Sequence, residues 1–186
     1  QILNNFISNN YCGIKTDLEA ERSMYIANFI TLNQIGFYMD SGTNMIDNCA
    51  FNANRVGLVI SDGLNHAHGN VSHSAFTHNS LFGVVANKIE LGEKFDDCKF
   101  GFGGDLYLYR SKGIVTNNCQ WVTYLTYVID GNWENPKTGK QEGIHIAHNN
   151  VSNTTQNINF SFLNGGKIDL KNNLSFNGVT PVDFNN

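Results

Sequence analysis

Short runs of alternating apolar and polar residues recur along the chain and are separated by glycine and small polar residues. The clearest run is 57–61, in which Leu58 and Ile60 occupy alternate positions. Alternation with a period of two predicts a β-strand, because successive side chains of a strand point to opposite faces of the sheet. Only 18–22 has the composition of a helix, and it is too short to form more than a corner.

The stretch 46–62 is repeated at other points in the chain. Residues 71–76 repeat 46–51, and residues 83–87 repeat 57–61. The aromatic residues that anchor successive copies are Phe6, Phe29, Phe51, Phe76, Phe100 and Trp121. Their spacing of about 21 to 25 residues is typical of proteins built from stacked structural repeats.

Each copy is too short to bury its own apolar face, so neighbouring copies must stack to form a continuous core. We therefore predict an all-β fold, a parallel β-helix of about seven to eight turns, with residues 1–186 as a single domain. A β-sandwich would pair its strands through hairpins and would need more Asn-Gly or Asp-Gly corners. A leucine-rich repeat would need leucine at fixed positions, which this chain lacks.

Asparagine recurs just before the inward apolar residue of each copy. The residues at this point are Asn5, Asn28, Asn48, Asp97, Asn118 and Asn149, with His73 in the fourth copy. Asparagine tolerates left-handed backbone, and its amide can bond the amides above and below it. The pattern predicts an asparagine ladder along one corner; the alternative is that asparagine only favours turns.

Composition and charge exclude several classes of partner. A formal net charge of −4 without a basic stripe gives no reason to expect a nucleic-acid partner. No apolar run approaches the length of a membrane span, so we expect no membrane insertion. The chain begins with Gln1 and has no signal peptide, which suggests a fragment of a longer protein.

The cysteines and histidines suggest neither disulfides nor a metal centre. The four cysteines are Cys12, Cys49, Cys98 and Cys119. Three of them occupy equivalent repeat positions, so we expect free buried thiols stacked in a column, and their spacing matches no zinc pattern. His66 and His68 fall on a loop, and His73 and His78 fall on different sides of a corner, so we predict no metal site.

The units of the form Asn-x-Phe and Asn-Asn-x-x-x-Asn, ending in Gly-apolar-x-apolar, resemble the right-handed parallel β-helices of the pectin-lyase-like superfamily. The resemblance covers most of the chain and is specific for fold and weak for function. Within the superfamily, sparse charge, free thiols and the missing secretion signal look most like a bacteriophage tailspike or tail-fibre domain.

That resemblance implies a homotrimer on the virion tail that binds bacterial surface polysaccharide and needs no cofactor. It leaves open whether the chain is also an endoglycosidase that cuts capsule or O-antigen. Two alternatives remain: a structural stalk without activity, and a secreted polysaccharide lyase or epimerase.

Outward positions on the strands that follow each corner glycine suit a sugar chain, because aromatic rings cover the apolar faces of pyranoses. The candidates are Tyr38, Tyr107, Tyr109 and His145. The alternative is that Tyr38 and Tyr107, together with Val59 and Val85, form the seam of a trimer.

Glycoside hydrolysis needs two carboxylates that flank the scissile bond, about 5 Å apart for retention or roughly 6.5–9.5 Å apart for inversion. The preferred catalytic cluster is Asp105, Asp130 and Glu134, with Arg110 and Trp133 as substrate-binding neighbours. The alternative pair is Asp40 and Asp62, at the ends of adjacent strands. Any single one of these aspartates could instead cap a turn.

Overall fold

The computed structural model describes residues 1–17, 22–40, 43–61, 68–89, 93–121, 125–149, 152–153 and 158–168. These residues contain 23 β-strands and no helix. Accordingly, this part of the chain has no helix that could cross a membrane.

The strands follow one another in sets of three, and each set forms one coil of a solenoid. The first coil contains β1 (Ile2–Leu3), β2 (Phe6–Ser8) and β3 (Cys12–Lys15). The second contains β4 (Met24–Ile26), β5 (Phe29–Thr31) and β6 (Ile35–Asp40), and the third β7 (Thr43–Asp47), β8 (Ala50–Asn52) and β9 (Val56–Ser61). The fourth contains β10 (His68–Ser72), β11 (Ala75–Thr77) and β12 (Phe82–Asn87), and the fifth β13 (Glu93–Asp96), β14 (Lys99–Gly101) and β15 (Leu106–Tyr109).

The sixth coil contains β16 (Gly113–Asn117), β17 (Gln120–Trp121) and β18 (Leu125–Asp130). A short hairpin of β19 (Trp133–Glu134) and β20 (Gln141–Glu142) follows it. The chain then continues with β21 (His145–Asn149), β22 (Ser152–Asn153) and β23 (Ile158–Leu163).

The first strand of every coil joins sheet A, the second joins sheet B and the third joins sheet C, so that each sheet has seven strands. All neighbouring strands within these sheets are parallel, and in the described part of the chain only the β19–β20 hairpin is antiparallel. The predicted right-handed parallel β-helix is therefore confirmed. The spacing predicted seven to eight turns. The structure describes about five coils in full, and strands from two further coils complete each seven-stranded sheet.

The inner side of sheet B holds a single file of aromatic rings. Phe51 pairs in register with Phe76, Phe76 with Phe100, and Phe100 with Trp121. Their ring centroids are 4.9, 5.2 and 5.8 Å apart, and each pair is nearly parallel. This stack confirms the predicted repeat for these four anchors.

The two earlier anchors do not join that file, so their predicted inward position is wrong. Ile30, not Phe29, pairs with Phe51, and Phe29 pairs with Ala50. Phe6 and Phe29 instead stack on each other on the outer side of sheet B, where they are 70% and 40% exposed. A shift of one residue moves a side chain to the other face of a strand, which explains the error.

The predicted asparagine ladder combined two different columns. Asn48, Asp97 and Asn118 occupy the left-handed corner between sheets A and B, with φ of 51°, 52° and 51°. Asn5 and Asn28 lie one position later, in the column that contains Cys49. The Asn28 amide donates to the carbonyl of Ile2, whereas the Cys49 thiol donates to the carbonyl of Tyr25. Buried thiols therefore replace amides in this column, and all four cysteines are free, as predicted.

A continuous amide ladder lies at the next corner, between sheets B and C, where the sequence analysis did not place one. Its members are Asn10, Asn33, Asn54 and Asn79. The side-chain oxygens of Asn33, Asn54 and Asn79 each accept bonds from the backbone N–H and the side-chain amide of the preceding coil's asparagine. The ladder fixes the spacing of four successive coils along the edge of sheet C.

Candidate functional site

The corner that follows sheet C places two cations on adjacent coils. Lys88 and Arg110 both have left-handed backbone, with φ of 55° and 44°. The Lys88 N–H donates to the carbonyl of Tyr109 at 2.8 Å, and the Arg110 N–H donates to the carbonyl of Asp130 at 2.9 Å. The two residues are therefore equivalent in register, and both side chains are exposed.

Glycine on the next coil makes room for the arginine. Gly131 follows Arg110 in this corner column and has φ of 71°. A Cβ atom at Gly131 would lie 3.1 Å from Cγ of Arg110. The absence of a side chain there lets the Arg110 side chain lie against the backbone of the next coil.

The β19–β20 hairpin begins just after this corner and closes one side of a cleft of about 340 Å³. Lys88 and Arg110 line the cleft from the corner column. From the hairpin and its approach, the lining residues are Asn132, Trp133, Glu134, Pro136 and Gln141. The structure thus brings the predicted residues Arg110, Trp133 and Glu134 to one cleft.

Several hydrogen bonds hold the hairpin in place. The Asn132 amide donates to the carbonyl of Gly165, and its oxygen accepts from the N–H of Lys167. The Gln141 amide donates to the Glu134 carboxylate at 3.3 Å. Glu134 and Gln141 are exposed, so their polar groups face solvent at the mouth of the cleft.

Trp133 lines the cleft but is only 6% exposed. The Lys112 ammonium lies 5.1 Å from the centroid of its ring, as in a cation–π contact. The indole therefore anchors the hairpin to the body of the solenoid and leaves little ring surface for a sugar.

Asp130 lies beside the cleft at the end of β18 and is buried. The Tyr107 hydroxyl donates to one of its oxygens, and the Asn164 amide donates to the other at 2.7 Å. The bonds from Tyr107 and Asn164, with the nearby charge of Arg110, lower the pKa of Asp130. Burial and the carboxylate raise the pKa of Tyr107 to about 12. Asp130 is therefore ionised at neutral pH and poorly suited to donate a proton.

Asp105 does not join this group, so the predicted cluster of three carboxylates is not formed. It lies at the start of the strand that ends at Tyr109, and Tyr109 pairs with Asp130. At about 3.3 Å per residue, four residues place the backbone positions of Asp105 and Asp130 roughly 13 Å apart along the sheet. Asp105 accepts a bond from the N–H of Thr126 at 2.8 Å, and burial raises its pKa.

The other predicted residues fall in different places. Tyr38 and Tyr109 lie on the outer side of sheet C, half-buried, and the Arg110 guanidinium is 5.3 Å from the Tyr109 ring centroid. Asp40 ends β6 and pairs with Ser61, whereas Asp62 lies outside the described residues.

His145 is not on this face, and its predicted position is wrong. It belongs to sheet A, where it pairs with Gly113. The hairpin inserted before it shifts the pattern, so that β23 supplies the seventh strand of sheet C.

Sequence reasoning missed Lys88, Gln141 and Asn164. Lys88 could have been found, because it directly follows its strand at Asn87 as Arg110 follows the next strand at Tyr109. Gln141 and Asn164 carry no local signal, since hairpin pairing and coil stacking bring them to the site.

A second polar cluster lies at the corner between sheets A and B. The Ser72 hydroxyl and the His73 Nδ1 atom both contact the same Asp47 oxygen, at 2.9 and 2.8 Å. Ser72 bonds the carboxylate instead of the imidazole, which is not the arrangement of a catalytic triad. Among the described residues no group of histidines, cysteines and carboxylates is arranged to hold a metal ion.

Comparison with family models, with curated proteins and with solved structures gives no match to this chain. The parallel β-helix is therefore established by its own geometry, and the pectin-lyase-like resemblance stays a prediction.

Proposed function

We propose that this β-helix binds bacterial surface polysaccharide, as a phage tailspike does, in the β19–β20 cleft and at the strand ends of sheet C beside it. The observation that carries the proposal is the cleft itself, which interrupts an otherwise regular solenoid. Loops and hairpins on a rigid repeat scaffold are common places for binding residues.

The chemistry of the cleft mouth suits a carbohydrate. Glu134 and Gln141 offer exposed oxygen and amide groups to sugar hydroxyls. Tyr109 adds a half-buried ring next to Arg110 on the adjoining sheet. A small number of placed polar groups beside an aromatic surface is typical of sugar sites.

Binding is favoured over hydrolysis by the state of the carboxylates. Of the described residues that line the cleft, Glu134 alone carries a carboxylate. Asp130 is ionised and engaged by Tyr107 and Asn164, and Asp105 lies roughly 13 Å farther along the sheet. That separation exceeds the roughly 9.5 Å at which two carboxylates cooperate in glycoside hydrolysis.

The test is a panel of purified O-antigens and capsular polysaccharides, with binding measured by surface plasmon resonance and chain length by size-exclusion chromatography. We expect at least one polymer to bind and its length to stay unchanged. Tyr109→Ala and Gln141→Ala should each weaken binding about tenfold, whereas Lys99→Gln, on the outer side of sheet B, should not. Binding to no polymer would favour the structural stalk, and shortened chains would restore the endoglycosidase, with Glu134 as its first candidate.

The tailspike-like proposal also includes a homotrimer exposed on the virion tail. Tyr38, Val59, Val85 and Tyr107 form one column in register on the outer side of sheet C. This column is the proposed seam. Light scattering should then give three times the mass of one chain, and Val59→Asp should reduce it.

A further inference from the structure

We infer that the cleft selects a polysaccharide whose sugars carry carboxylates, such as uronic or sialic acids, and that Lys88 and Arg110 bind that group. This inference rests on the proposed function and names the class of polymer that the site takes.

The charge of the cleft is opposite to that of the chain. The protein carries a net charge of −4, yet Lys88 and Arg110 line one cleft and Lys112 covers its tryptophan. Within the described residues, no carboxylate lies within ion-pair distance of Lys88 or Arg110. Two exposed cations that form no ion pair with a described carboxylate can both contact an incoming anion.

Two carboxylates of the protein lie near these cations and reduce the positive charge that an incoming anion meets. Asp130 is near enough for the Arg110 charge to lower its pKa, but neutral donors from Tyr107 and Asn164 occupy its oxygens. Glu134 lines the cleft, and its carboxylate accepts a bond from the Gln141 amide. Glu134 therefore opposes an anionic ligand and reduces the net attraction without cancelling it.

The register of the solenoid fixes the spacing of the two cations. Equivalent residues on adjacent coils are about 4.8 Å apart, so an ammonium and a guanidinium side by side can reach one carboxylate or two successive ones. The planar guanidinium can bind a carboxylate through two parallel N–H bonds, and the ammonium adds a compact charge. Gly131 keeps the space beside the Arg110 stem clear.

The experiment compares acidic polymers with their own neutral derivatives. Hyaluronan, alginate and polysialic acid are immobilised beside the same polymers after chemical reduction of their carboxyl groups, with dextran and mannan as neutral references. We expect at least one acidic polymer to bind about tenfold or more tightly than its reduced form, and the difference to shrink as salt is raised from 0.05 to about 0.5 M.

Five variants separate the effect of the cleft from that of the overall charge of the protein. Arg110→Gln and Lys88→Gln should each weaken binding of the acidic polymer about tenfold, and Arg110→Lys should lie between wild type and Arg110→Gln. Arg55→Gln makes the same change of charge on another exposed corner and should leave affinity unchanged. Glu134→Gln should tighten binding, because it removes the opposing charge.

The possible outcomes separate selectivity for acidic polymers from polysaccharide binding itself. Equal binding of an acidic polymer and its reduced form, or equal losses in Arg55→Gln and Arg110→Gln, would overturn the acidic selectivity while polysaccharide binding stood. Binding of neutral polymers but of no acidic polymer would also overturn the acidic selectivity while polysaccharide binding stood. If no polymer binds in this experiment or in the wider panel, both the acidic selectivity and the proposed polysaccharide binding are wrong.

Discussion

Replacing Asn54 by alanine is the sharpest test of how the coils hold together. Asn54 is fully buried in the middle of the amide ladder between sheets B and C. Its oxygen accepts bonds from the backbone N–H and the side-chain amide of Asn33, both at 3.0 Å. Its amide donates to the carbonyl of Ile30 at 2.9 Å and to the oxygen of Asn79 at 3.3 Å.

The expected loss of stability depends on which of these groups is left without a hydrogen-bonding partner. The Asn33 amide retains bonds to the carbonyls of Ile7 and Thr31, and the Asn79 oxygen still accepts from the backbone N–H at position 54. The Asn33 backbone N–H loses its acceptor while it stays buried, which costs about 1–3 kcal/mol. With the remaining lost bonds, the free energy of unfolding should fall by about 3 kcal/mol.

The matched control is Asn10→Ala at the exposed end of the same ladder. Asn10 donates from its amide to Ser8 and Asn33, but among the described residues no backbone N–H donates to its side chain. Its loss should cost less than about 1 kcal/mol. Urea unfolding followed by circular dichroism measures both, and equal destabilisation of the two variants would refute the ladder as the device that spaces the coils.

Three further substitutions test the corners. The bond to Asp47 raises the pKa of His73. The stability that this contact adds should therefore be complete below the usual histidine pKa of about 6.5, and it should vanish as pH rises through the raised pKa. His73→Asn should abolish that decline in melting temperature above about pH 6.5, and an unchanged profile would contradict the Asp47 contact. In Gly57→Ala the new Cβ would lie 2.6 Å from the carbonyl oxygen of Gly83, so the urea midpoint should drop by the equivalent of about 1–3 kcal/mol. Ala53 has left-handed backbone with φ of 54°, which costs an alanine about 1 kcal/mol. Ala53→Gly should therefore raise the urea midpoint, and a lower midpoint would show that the Ala53 methyl group contributes packing.

The local pattern contained enough information to predict the type of fold. Alternation within 57–61 and its recurrence every 21 to 25 residues indicated strands that must stack in parallel, and the file of Phe51, Phe76, Phe100 and Trp121 confirms it. Free thiols were also predictable, because equivalent positions on different coils form a column.

The candidate site was only partly accessible from the sequence. Arg110, Trp133 and Glu134 could be selected because the repeat breaks near them, and they do line one cleft. The pairing of Asp130 with Tyr107 and Asn164 could not be selected, since those partners come from different coils.

By itself, the sequence determined that this chain is a stack of short parallel strands, because alternation and repeat length are local properties that any strand must obey. Tertiary structure alone decided which residues of each coil point inward, which sheet receives His145 and which groups meet at the cleft. The physical reason is register: a shift of one residue in any corner moves every following side chain to the opposite face, and only packing between coils selects among the alternatives.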